Sequence, residues 1–160
     1  MDQFSSGQLI LAICMIAGAF ADLRSRRIPN WLSLATAIAG LSFAAYESWS
    51  SALPWHAGSM FAALAIGMLL FGLKVWGGGD GKFFAATAAW FPLTSMVPLI
   101  VGISLAGLAL ALVWLARGLF VKDPETKSKL PLVPYGVAIA IGAIAVSIYT
   151  APAVPITYTI

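Results

Sequence analysis

The sequence predicts an all-α integral membrane protein: a six-transmembrane helix bundle with a short fourth helix and with the N- and C-termini outside. Three observations carry this expectation. Of the 160 residues, 61% are hydrophobic and only 9% are charged, where a soluble domain carries about 25% charged residues, and the mean hydropathy is +0.94. The apolar runs are long and continuous, without the polar alternation of membrane strands. All nine Lys and Arg residues fall into alternate connections between those runs. So few charges cannot cover a water-soluble surface. At about 20 residues per transmembrane helix, six helices leave roughly 40 residues for loops and ends. The chain therefore reads as one membrane-embedded domain, 1–160, with no room for a soluble one.

The first span is expected at Phe4 to Ala21, ending at Asp22-Leu23-Arg24-Ser25-Arg26-Arg27. Met1-Asp2-Gln3 lacks the basic flank of a secretory signal, so this run reads as retained. Its one cysteine, Cys14, sits among apolar residues and fits a small buried hydrophobe, with no disulfide framework and no cysteine metal site. The second span, Trp31 to Tyr46, is opened by Ile28-Pro29-Asn30, since proline at a helix start loses no hydrogen bond. A polar connection from Glu47 to Pro54 leads to the third span, Trp55 to Leu73. Lys74-Val75-Trp76-Gly77-Gly78-Gly79-Asp80-Gly81-Lys82 follows. The last span, Leu132 to Tyr149, comes after a charged loop from Arg117 to Lys129, and Pro131 and Pro134 most simply start that helix.

Between Phe83 and Ala116 lie 34 residues without a charge, about 50 Å as a single helix. That is too long for one span and slightly short for two. Pro92 and Pro98 would break a helix near its middle. Charge distribution decides for two, because cytoplasmic loops are enriched in Lys and Arg. With two spans, Arg24, Arg26 and Arg27 share a side with Lys74 and Lys82, and with Arg117, Lys122, Lys127 and Lys129. A short fourth helix at Phe83 to Phe91 follows. The same distribution accounts for the net charge of +3 as cytoplasmic anchoring, so no nucleic-acid partner is expected. The lipid bilayer is the expected environment.

Six acidic residues are present. Asp2, Glu47, Asp123 and Glu125 read as solvated charges. Asp22 and Asp80 differ, because each sits at the cytoplasmic end of an apolar helix, where an ionisable group is expensive and becomes a functional candidate. Two close carboxyls tend to share one proton. The ionised one can then take a proton from water while the protonated one donates to a carbonyl oxygen, which is general acid–base hydrolysis of a peptide bond. The lone His56 falls on the expected outer side, so a Ser–His or Cys–His site facing inward lacks its base. A zinc ligand set is lacking as well. Gly77, Gly78 and Gly79 would let the backbone take conformations closed to other residues and approach an extended peptide closely. Simpler readings stand beside these: a flexible turn with Asp80 as the N-cap of helix four, and Asp22 as a juxtamembrane charge pairing with Arg24 or Arg26.

Taken together, the residues resemble the prepilin peptidase family of GxGD membrane aspartic proteases. The resemblance rests on Asp22 followed by Arg27-Ile28-Pro29-Asn30, on Gly77-Gly78-Gly79-Asp80-Gly81-Lys82, and on Pro134-Tyr135-Gly136, and it covers essentially the whole chain. It implies that Asp22 and Asp80 are the catalytic pair. Ile28, Pro29, Asn30, Gly77, Gly79, Lys82, Pro134, Tyr135 and Gly136 would then bind substrate or shape the site. It also implies cleavage, without cofactor or metal, of a short basic leader from a pilin or pseudopilin precursor just ahead of its hydrophobic helix. The site would face the cytoplasm from a bacterial inner membrane. At this length the chain is similar to the short form associated with Tad/Flp-type pili, and methylation of the new N-terminus is not expected. An archaeal preflagellin peptidase shares the same chemistry. From other classes, a small proton- or cation-coupled transporter would want its acids near mid-membrane, and a non-catalytic pilus-assembly scaffold would not need them.

Overall fold

A computed structural model describes residues 6–48, 51–120 and 134–150. Among the described residues there are six α-helices and no strand: α1 (Ser6–Ser25), α2 (Asn30–Ser48), α3 (Leu53–Gly72), α4 (Gly78–Ala88), α5 (Met96–Phe120) and α6 (Tyr135–Tyr149), with one 3-10 turn at Leu93–Ser95 before α5. Three segments are long and apolar enough to cross a membrane: Ser6–Ser25, Leu53–Gly72 and Leu93–Ala116. Helix α6 is apolar but shorter.

Helix ends depart from the expected ones for identifiable reasons. Helix α1 continues past Ala21 to Ser25, so Asp22 lies inside its last turn. It stops where Arg26 adopts a left-handed φ of 54°, its N–H still donating to the Asp22 carbonyl at 2.9 Å. Pro29 stands just ahead of α2, not within it, and its carbonyl accepts from the Leu32 and Ser33 N–H groups. Helix α4 begins at Gly78, five residues before the expected Phe83, because an extended Gly77 (φ −74°, ψ 151°) serves as its N-cap. Pro92 makes the turn after α4. Pro98, the third residue of α5, sits in a first turn whose N–H groups have no intrahelical partner and so breaks nothing. Helix α5 runs on to Phe120, taking Arg117 into its last turn. Helix α6 starts at Tyr135 behind Pro134, and the expected start at Leu132 with Pro131 lies outside the described residues. So do Lys122, Lys127 and Lys129.

Burial is inverted relative to a soluble protein. Large apolar side chains such as Ile13 (67% exposed), Leu69 (62%) and Leu105 (62%) face outward on several helices, as expected where lipid is the solvent. The middle of the bundle is α4, whose residues 83–88 are all buried, as is Ala89 after it. It packs against α3, α2 and α6, while α5 leans mainly on α6 and α6 on α1. Its 11 residues rise about 16 Å, half the hydrocarbon thickness. A helix this short inside an apolar bundle must have its end groups satisfied by protein. The buried His56 Nδ1 donates to the Ala89 carbonyl at 3.0 Å, and Trp90 Nε1 donates to the Thr36 carbonyl at 3.0 Å.

Small residues set the helix spacing. A Cβ at Gly18 would overlap the Phe83 ring, and one at Gly67 would lie 2.9 Å from the Gly81 Cα. Backbone contact between α3 and α4 at Gly67 and Gly81 thus fixes the height of α4 in the bundle. At the far end, Gln8 Nε2 donates to the Ser147 carbonyl at 2.9 Å, bringing the first turn of α1 to the last turn of α6. Gly67→Ala is expected to lower stability by about 1–3 kcal/mol through overpacking. Gly72→Ala, whose Cβ meets nothing within 4 Å, should change it by no more than about 0.5 kcal/mol. Thermal unfolding of both variants in one detergent checks the contrast.

Candidate active site

Asp22 is 5% exposed, an acid enclosed in an apolar bundle. What makes it tolerable is the start of α6. The first turn of any helix has N–H groups without intrahelical acceptors, and Pro134 has no side-chain acceptor to offer. Asp22 supplies one from another helix: its Oδ2 accepts from the Gly136 N–H at 2.8 Å, while the Val137 N–H donates to the Pro134 carbonyl at 3.2 Å. The positive end of the α6 dipole reinforces the contact. Gly136 must be small here, because a Cβ would lie 2.9 Å from Asp22 Cβ, Asp22 Oδ2 and Ile28 Cδ1. The Arg26 charge also acts on Asp22, and the Arg26 guanidinium lies 6.0 Å from the Trp114 ring of α5.

Asp80 sits in the first turn of α4, the third residue of the helix, and is partly buried. It is not the N-cap: its Oδ2 reaches back to accept from the Gly77 N–H at 3.2 Å. This is the acidic half of a capping box. The glycines before it are not needed for unusual backbone geometry either, since no glycine among the described residues has a positive φ. A Cβ at Gly78 or Gly79 would meet neighbours only at ordinary contact distances, 3.5 Å from Phe71 and 3.7 Å from the Ile28 backbone. Their smallness instead leaves the turn open on its outer side.

Ile28 joins the two acids. Its backbone lies beside Gly79, next to Asp80, and its side chain lies against Gly136, the partner of Asp22. The separation is short enough for the Asp22 charge to act at Asp80. Across the same end, Lys82 Nζ donates to Asn30 Oδ1 at 3.1 Å, tying the start of α4 to the start of α2. Pro29, half-buried, precedes that helix start. Tyr135 leans on Trp76 at a ring separation of 6.0 Å, and Trp76 meets Phe84 edge-on at 5.5 Å. A cleft of about 310 Å³ opens between the loops, lined by Arg26, Arg27, Ile28, Asn30 and the run Gly77–Asp80. The residues expected to form the site gather at this one end, while His56 contacts the opposite end of α4. Trp76, Trp114 and Val137 were not anticipated, because nothing in the local pattern distinguishes them from ordinary interface aromatics or core residues.

The sequence profile of the type IV leader peptidase family matches residues 9–112. The chain belongs to the type IV leader peptidase family. Among curated relatives, the chain is 29% identical over 135 residues to a prepilin leader peptidase/N-methyltransferase of Xanthomonas campestris pv. campestris, covering 81% of this chain and 46% of that protein. This leader peptidase family chain thus spans about half the length of the curated relative it matches. No solved structure matches it. Both acids and the residues lining the cleft lie within the matched residues, whereas Gly136 and its neighbours lie beyond them.

The capping role of Asp22 has its own test. Asp22→Leu leaves the Gly136 N–H buried and unpaired and is expected to cost about 1–3 kcal/mol. Asp22→Asn, which keeps an acceptor, should cost clearly less. Thermal unfolding reads the difference independently of any activity.

Proposed function

We propose that this chain is a prepilin leader peptidase: an aspartic endopeptidase of GxGD type that removes the short basic leader of a type IV-like pilin precursor. What supports the reading most is that Asp22 and Asp80 lie on either side of Ile28 at one end of the bundle, with Asp80 in the wall of an open cleft. Family membership and the similarity to a prepilin leader peptidase/N-methyltransferase support the substrate class.

The chemistry follows from two carboxyls that feel one another's charge and so hold one proton between them. A water between them attacks the carbonyl carbon of the scissile peptide and gives one proton to the ionised carboxylate. The protonated carboxyl donates to the carbonyl oxygen, leaving a tetrahedral diol. Return of a proton to the peptide nitrogen breaks the C–N bond and releases leader and mature N-terminus. No covalent intermediate forms, and the two acids exchange roles, so the pair titrates as a unit. Each acid is pre-oriented: Asp22 by Gly136 and Asp80 by Gly77. Fixed geometry of this kind removes much of the entropic part of the barrier.

In this reading six helices span a bacterial inner membrane, both termini are outside, and the cleft faces the cytoplasm, as the basic residues flanking it favour. The resemblance to the short Tad/Flp form makes a Flp-type pilin precursor the first substrate to try. Co-expression of the chain with such a precursor, followed by gel mobility, tests the assignment. Asp22→Asn and Asp80→Asn are each expected to reduce cleavage by at least about 100-fold. Full processing by both variants would overturn it.

A further inference from the structure

The outer seam between α3 and α4 opens into a second groove of about 320 Å³, on the other side of the Gly77–Gly81 turn from the cleft. Leu64, Met68 and Phe71 line one wall, at the three- and four-residue steps that share a helix face. Their stripe is about 10 Å long. Met68 and Phe71 are exposed, 61% and 57%. The floor is backbone, because Gly67 and Gly81 touch there without side chains. An apolar stripe above a glycine floor, facing lipid, is the shape against which another helix packs closely. Among the described residues, no helix of this chain occupies it.

Gly78 decides what that helix would be. It lines both the groove and the cleft, so the groove opens at its polar end directly onto the turn that carries Asp80. Gly78 at the groove mouth and Asp80 are two residues apart in the first turn of α4, a step that about two residues of extended substrate, about 7 Å, would cover. Lys82 marks the same mouth, its head held inward on Asn30. A lipid acyl chain would fill the apolar part but has no use for a passage into the cleft.

We propose that this groove seats the apolar helix of the substrate itself, with the helix N-terminus at Gly78, so that the peptide bond ahead of the helix crosses Gly78 and Gly79 to reach the two acids. The inference rests on the leader-peptidase reading and deepens it by assigning where the membrane part of the substrate binds. The enzyme thereby recognises an apolar helix in the bilayer and cuts at a fixed distance from its start.

Cysteine cross-linking tests this. In a Cys14→Ala background, single cysteines replace Met68 or, as a lipid-facing control on α5, Leu108. Asp80→Asn keeps the precursor uncleaved, and the precursor carries one cysteine in the first two turns of its helix. Oxidation is expected to join precursor to Met68→Cys in excess over Leu108→Cys by at least about tenfold, the mark of a modest binding preference. Equal yields, or a Met68→Cys product made of two enzyme copies, would overturn the groove assignment. In the active chain, Met68→Trp should raise KM for the precursor by about tenfold with kcat unchanged; an unchanged KM counts against the groove. Cleavage of the same precursor by the unmodified chain is measured alongside. Its absence retires the leader-peptidase reading, whereas cleavage without the Met68 adduct retires the groove alone.

Discussion

The carboxylate of Asp22 at the amino end of α6 is the contact on which the rest of this structure depends. It joins positions 114 residues apart in a setting where an unpaired carboxylate would cost several kcal/mol. The cost falls only if backbone N–H groups and a helix dipole meet the charge. That requirement fixes the start of α6 against the end of α1. It also leaves room for nothing larger than glycine at position 136 and presses Ile28 into the remaining space. With Ile28 placed, the turn before α4 has its inner wall, and Asp80 comes within the electrostatic reach of Asp22. A stabilising cap and a candidate catalytic group are therefore one side chain.

Helix α4 is the second constraint. Too short to cross a bilayer alone, it is tolerated in the apolar bundle because both ends have partners: Gly77 and Asp80 at the start, His56 and Trp90 at the finish. Its contact with α3 through Gly67 and Gly81 allows no vertical slack. The acid in its first turn is thus positioned by packing along the whole helix, not by the flexibility of a loop. Sites on rigid elements hold geometry better than sites on loops, and both acids here are within helices.

Much of this was legible in the sequence, and the reasons are specific. Composition and the alternation of Arg and Lys gave away the helical class and brought Asp22, Asp80, Asn30, Lys82 and Gly136 to one end, because connectivity alone determines which helix ends are neighbours. Helix boundaries were less legible. Arg26 ends α1 in a left-handed conformation that residue type does not advertise, and Asp80 takes the third helical position where capping preference suggested the N-cap. Of the two roles expected of Gly77–Gly79, ordinary φ values argue against backbone freedom, while the Cβ space at Gly78 and Gly79 favours close approach. The pairing of Asp22 with Gly136, and of Trp76 with Tyr135, depends on packing across helices far apart in sequence, which no local pattern encodes.

The central claim is that the two acids converge. A chain carrying Asp22→Cys and Asp80→Cys in the Cys14→Ala background, treated in membranes with a short bifunctional thiol reagent, measures this directly by mass spectrometry of the digested protein. The account predicts peptides containing positions 22 and 80 joined within one chain, without substrate present. Two separately capped thiols, with no joined product, would contradict it.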